Sequence, residues 1–190
     1  MKKYKKGFTI LELLVVIAII GILAAVVLAA VGSSRGKAAD KAIISDLEGI
    51  RTQAELYLSS STSKSYGTFN AVNTAGTNGR CPASTFSTGG AYNNSIFLDT
   101  SSTNPGATYT TILNKAITDA NLKSSGTVTT NRLDNARCVS TGTSWALAAK
   151  LKTSNKSWCV DSNGNSKEVS QNASTNAGVI SVTGTVATCS

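Results

Sequence analysis

Lys5-Lys6-Gly7-Phe8-Thr9-Ile10-Leu11-Glu12, running into an apolar stretch that ends at Val31, decides how the rest of the chain is read. A basic start feeding a long apolar helix is ordinary. A carboxylate four residues past Phe8 is not. An ionised side chain at the centre of a bilayer costs roughly 2.5 to 3.5 kcal/mol. Glu12 lies nearer the interface and should cost less, yet a carboxylate with no use there is unexpected. An ionisable residue in such a segment is a functional residue by default, with a partner to be named.

The run from Phe8 to Val31 is 24 residues, interrupted only by Glu12 and by small or weakly polar residues. That length spans a hydrocarbon core of about 30 Å. An ordinary secretory signal has an apolar core of about 7 to 15 residues with a small-residue cleavage site after it. The Ala-rich stretch near Ala30 is the one place where such a site would fall, and it reads poorly as one. Four lysines precede the run and Arg35 and Lys37 follow it. The bias places the N-terminus on the cytoplasmic side and the remainder outside.

The order Lys-Lys-Gly-Phe-Thr-Ile-Leu-Glu-Leu-Leu resembles the N-terminus of type IV pilins and pseudopilins. Glycine, aromatic residue and glutamate fall at that family's spacing ahead of the long apolar run. The resemblance covers about the first 60 residues. It implies that a prepilin peptidase cuts after Gly7 and that the new N-terminal residue, Phe8, is methylated. It implies that Glu12 pairs with the N-terminal amine of a neighbouring subunit, where burial weakens screening. The partners implied are copies of the chain in a helical filament, the peptidase, the pilus assembly machinery, and the inner membrane before assembly. No cofactor is implied. One departure stands out: many type IV pilins carry a proline where this chain has Ala29, so local helix melting at that point lacks its usual cause.

Small residues give the helix a way to pack against its neighbours. Gly21, with Ala18, Ala24, Ala25, Ala29 and Ala30, lets backbones approach where lipid offers no hydrophobic drive. Gly and Ala are also simply frequent in spanning helices, which accounts for some of them. The helix is expected to continue beyond the membrane. Ala39, Ile43, Leu47, Ile50, Ala54 and Leu58 recur at spacings of three and four and share one face. Charged residues occupy the others, with Arg51 and Glu55 placed for an i,i+4 pair. Gly32-Ser33-Ser34 and Gly36 weaken the junction. A helix from Phe8 to Ser59 would be a rod of roughly 78 Å.

The division expected is a leader over 1–7, a helix over 8–59 and a head over 60–190. Within the helix, 8–31 is the membrane or filament-core part and 32–59 the amphipathic part. Removing the leader takes Lys2, Lys3, Lys5 and Lys6 and lowers the formal charge from +8 to +4. The head carries ten Lys and Arg against five Asp and Glu. That mild excess permits DNA or anionic surfaces as partners without arguing for them.

Within the head, Ser60 to Asn78 reads as a loop anchored by Tyr66 and Phe69. Thr111 to Leu122 reads as a short amphipathic helix ended near Gly126. Ser144 to Lys152 and Lys156 to Asp161 read as paired strands. Ser162-Asn163-Gly164-Asn165 then turns the chain into Ser166 to Val169. Val179 to Val186 alternates as a further strand. The fold class expected is α+β, the pilin architecture of a long N-terminal helix on a small antiparallel sheet. The Trp158 to Val169 stretch adds a second, less specific resemblance to pilins.

Zero histidine excludes Ser-His-Asp and Cys-His catalysis and His-ligated metal. No Ser-Lys arrangement stands out, so no enzyme is expected. Asp161, Asn163 and Asn165 imitate the opening of a calcium loop, but the glycine falls at Gly164, too early, and Asn172 replaces the closing glutamate. A hairpin turn is the better account and no metal site is expected, although some pseudopilins bind calcium in this region. Cys81, Cys138, Cys159 and Cys189 are too far apart for a zinc site and point to two disulfides. Three connectivities exist. Loop entropy mildly favours Cys81 with Cys138 and Cys159 with Cys189.

The function expected is a structural pilin processed after Gly7, serving adhesion, motility or DNA uptake. The alternatives are a pseudopilin of a secretion or DNA-uptake system and a monomeric anchored adhesin.

Overall fold

The computed structural model describes residues 7–70, 79–82, 94–99, 107–129, 132–174, 177–183 and 185–190. The first helix, α1, is Ile10–Ser60. Its residues fall in two compact units, 1–37 and 38–190.

In the first unit every apolar side chain described from Phe8 to Leu28 is exposed. Ile10–Leu28, 19 residues, is the one helix among the described residues long and apolar enough to cross a membrane. At 1.5 Å per residue it is about 28 Å long, close to the hydrocarbon thickness of a bilayer.

The second unit is built on the remainder of α1. Ile43, Leu47, Ile50, Ala54 and Tyr57 are all buried, at spacings of four, three, four and three. Tyr57, not Leu58, closes the buried stripe, and Leu58 is only half-buried against it. The expected face therefore holds from Ile43 to Ala54, with Ala39 only half-buried at its start, and is one residue off at its end. Arg51 also departs from expectation. It lies 4.0 Å from Glu48 and donates to the carbonyl of Asn165 at 2.8 Å, while Glu55 accepts from the Tyr66 hydroxyl at 2.8 Å.

The sheet begins with β1 (Thr68–Asn70), which lies inside the segment expected to be loop. Residues 71–78 of that segment lie outside the described residues. After β2 (Arg80–Pro82) come the two-residue strands β3 (Asn94–Ser95) and β4 (Leu98–Asp99). The helix α2 is Ala107–Lys123, four residues longer at its start than expected. It ends where Gly126 donates to the carbonyl of Asn121 at 2.8 Å. A Cβ at Gly126 would meet the Asn121 side chain at 2.4 Å, so only glycine fits.

Next come β5 (Val128–Thr129), β6 (Arg132–Thr141), β7 (Trp145–Lys150), β8 (Ser157–Asp161) and β9 (Ser166–Val169). The main sheet is antiparallel, ordered β1-β6-β7-β8-β9, with β2 and β5 also paired to β6. The centre of this sheet is β6, a strand that the sequence pattern does not announce. Its Arg132, Asp134 and Arg137 disguise it as a polar segment.

The stretch expected as one strand, Val179 to Val186, is two. A 3₁₀ turn over Ala177–Val179 leads into β10 (Ile180–Thr183), which pairs with β11 (Val186–Cys189). The pairing runs from Thr183 with Val186 to Ile180 with Cys189, a return of the chain that simple alternation conceals.

Both faces of the main sheet are covered. Leu147, Ala149 and Val160 join the core that holds the buried face of α1 and the α2 residues Leu113, Ile117 and Ala120. Ala146, Ala148 and Cys159 join a second cluster with Val179, Ala187 and Cys189. A strand buried on both sides has no polar face, so Trp145-Ala-Leu-Ala-Ala reads as a continuous apolar run. The result is an α+β arrangement consistent with the pilin fold.

Candidate assembly and processing segment

Gly7, Phe8 and Thr9 precede α1 and are exposed, Phe8 by 86%. The helix starts at Ile10 because of what Thr9 and Glu12 do to each other. The carbonyl of Thr9 accepts the first intrahelical bond, from the amide of Leu13 at 3.4 Å. Thr9 Oγ1 accepts from the amide of Glu12 at 3.3 Å. In return Glu12 Oε2 accepts from the amide of Thr9 at 2.9 Å and from its hydroxyl at 2.8 Å. This is a reciprocal capping box, Thr at the cap and Glu three residues on. Two of these bonds satisfy backbone amides, of Thr9 and Glu12, that the helix geometry leaves without a partner, and the hydroxyl bond braces the pair.

The capping role of Glu12 is legible as Thr-x-x-Glu ahead of an apolar run, a signal that attention to the charge alone overlooks. It gives the carboxylate a local reason to be there. It also leaves Oε1 without a partner among the described residues.

Gly21 lies eleven residues into the helix, and a Cβ there would meet nothing within 4 Å. Nothing among the described residues requires a glycine at that position. At about 100° per residue, Ala18, Gly21 and Ala25 fall within roughly 60° of one another.

The family described as prokaryotic N-terminal methylation motif matches residues 2–28. Residues 2–28 are a prepilin-type N-terminus. The prepilin-type segment holds Gly7, Phe8, Glu12 and Gly21 together, and it marks a type IV pilin-like or pseudopilin-like precursor of the membrane-anchored kind. It implies processing by a prepilin peptidase and traffic through pilus or secretion machinery. The match stops at residue 28 and leaves the head outside it. No curated protein and no solved structure matches the chain.

In the head the four cysteines form two bonds, Cys81–Cys138 with Cα atoms 4.9 Å apart and Cys159–Cys189 at 5.8 Å. The first joins β2 to β6, beneath α1. The second ties β8 to β11 on the opposite face.

The calcium-like residues are put to a different use. Asp161 is fully buried. Its Oδ1 accepts from the amides of Asn163 and Asn165, both at 3.0 Å. Its Oδ2 accepts from the Asn165 side-chain amide at 2.7 Å and from the amide of Cys189 at 3.0 Å. The carboxylate organises the turn between β8 and β9 as an acceptor for four donors. Gly164, at φ +91°, supplies the left-handed residue of the hairpin loop. Among the described residues no group of three or more His, Cys, Asp or Glu is placed to hold a metal.

Proposed function

We propose that this chain is the precursor of a type IV pilin subunit. The peptidase cuts between Gly7 and Phe8, Phe8 is methylated, and the exported subunit polymerises through α1. One observation carries this reading: the prepilin motif falls on a helix whose start is non-helical and exposed at the expected peptide bond.

Other features support it. The apolar side chains described between Phe8 and Leu28 have no partner surface within their own unit. In water such a surface is unstable, so it belongs in lipid or against like helices. Gly21 and its neighbouring alanines provide the close approach. Glu12 neutralises the α-ammonium of Phe8 on an adjoining subunit as the apolar helices exclude water between them. The disulfides suit an exported head.

The test is the yield of sheared surface filaments from cells expressing wild-type chain or Glu12→Gln, with membrane levels of both measured alongside. Filament loss at unchanged membrane level supports the reading. Wild-type yield from Glu12→Gln removes the charge pair from it. Short filaments confined to the cell envelope would move the assignment to a pseudopilin, and full activity without the peptidase would move it to an anchored adhesin.

A further inference from the structure

We infer that the end of the head where the β7–β8 loop meets α1 is a docking surface for anionic phospholipid headgroups at the outer face of the membrane. This rests on the reading that Ile10–Leu28 anchors the chain in that membrane before assembly.

One carboxylate fixes the loop to α1. Asp40 Oδ1 accepts from the amides of Lys152 at 2.5 Å and Thr153 at 3.4 Å, and its Oδ2 accepts from the Thr153 hydroxyl. The loop closes on itself where Leu151 donates to the carbonyl of Lys156 at 2.9 Å. These bonds gather four lysines at one end of the second unit. Lys41 follows Asp40 in α1, Lys150 ends β7, Lys152 lies in the loop and Lys156 stands just ahead of β8.

The two carboxylates at this end are already engaged. Asp40 holds the loop, and Glu168 on β9 pairs with Lys156 at 2.5 Å. Lys41 and Lys152 are exposed and Lys150 is half-buried. Among the described residues none of these three makes an ion pair. The lysines of α2 differ: Lys115 pairs with Asp119 and Lys123 with Asp46. Positive charge is thus left over at the loop end of the sheet, on a segment held in place.

The connecting chain decides which polyanion this surface meets. Nine residues lie between Val31, where the apolar run ends, and Lys41. Along a helix that separation is about 15 Å, of which the headgroup layer takes about 5 to 7 Å. The remainder is about one Debye length at physiological salt. The surface is tethered beside the headgroups, whereas a soluble polyanion has no such tether. A lysine held at an anionic membrane surface is favoured about fivefold. The contact orients the head on the membrane and is given up when α1 leaves the lipid.

The experiment places the full-length chain in phosphatidylcholine nanodiscs with or without phosphatidylglycerol. Limited acetylation followed by mass spectrometry then reads the reactivity of each lysine. Lys41, Lys150 and Lys152 should label about threefold more slowly with phosphatidylglycerol present, and high salt should abolish the difference. Lys115, whose side chain is 76% exposed on α2, should label alike in both discs. Lys150→Gln with Lys152→Gln should roughly halve the protection of Lys41. Equal labelling of Lys41, Lys150 and Lys152 in the two discs overturns the inference, as does equal slowing at Lys115. Slowing by a DNA duplex in phosphatidylcholine discs, with none from phosphatidylglycerol, overturns it in favour of nucleic acid. A chain that enters neither disc overturns the anchoring reading itself.

Discussion

Asp161 Oδ2 accepts the backbone amide of Cys189 at 3.0 Å, so a residue at the β8–β9 turn holds the last strand of the chain. The Cys159–Cys189 bond ties the same two strands, leaving β8 two residues before Asp161. One buried carboxylate and one covalent bond thus fix the C-terminal hairpin against the sheet. Replacing Asp161 by alanine strips the amides of Asn163, Asn165 and Cys189 of their acceptor. Asn163 and Asn165 are exposed, so water can meet their amides, while the Cys189 amide is buried and leaving it unmet should cost about 1 to 3 kcal/mol. Asp161→Asn keeps one acceptor oxygen and should lose about half as much. Urea unfolding of the oxidised full-length protein in detergent measures both.

The disulfides are expected to act mainly on the unfolded chain. Cys159 and Cys189 are separated by 30 residues, and closing a loop of that length is worth about 3 to 4 kcal/mol in the chain-entropy account. Replacing both by serine should lower stability by that order. Non-reducing peptide mapping should recover Cys81 with Cys138 and Cys159 with Cys189.

The helix face offers a direct check on the head's core. Leu47 is fully buried between α1 and the sheet, and Leu47→Ala should lose about 3 kcal/mol. Leu56, nearly 40% exposed on the same helix, should lose no more than about 0.5 kcal/mol when replaced by alanine. Equal losses from the two would contradict the packing described.

How much of this is readable without coordinates differs by element. The apolar stripe of α1 is plain up to Ala54 because helical periodicity is a local signal. Tyr57 escapes because its ring is buried while its hydroxyl makes it look polar in the sequence. The central strand β6 is hidden for a related reason: Arg137 is buried, and it spends its guanidinium on the carbonyls of Asp134, Ala136 and Ser174. Strand β1 is three residues long and exists because Thr68, Phe69 and Asn70 meet Thr141, Ser140 and Val139, some seventy residues away. No local pattern encodes such a pairing. At the N-terminus the reverse holds. The resemblance of Lys5 to Leu14 to a prepilin N-terminus is matched by the family motif over residues 2–28, and the Thr9 cap lies in the same ten letters.

Tyr66 should show its surroundings in alkali. Burial first, and then its hydrogen bond to Glu55, push its phenol up from 10.0 to about 12. The folded head therefore holds this proton where the unfolded chain releases it. The contribution of Tyr66 to stability is complete below pH 10 and is lost as pH rises toward 12. Absorbance at 295 nm should show a late tyrosine step near pH 12. Tyr66→Phe should remove that late step. A late step that persists in Tyr66→Phe would assign it elsewhere.

Everything assigned to the N-terminal half of α1 depends on cleavage between Gly7 and Phe8, and on the processed chain being what polymerises. The most direct measurement is intact mass and N-terminal sequencing of subunits from sheared filaments. The expected result is a first residue of Phe8 bearing one methyl group, with both disulfides closed. A filament subunit that begins at Met1, or after the apolar run near Ala30, would contradict it.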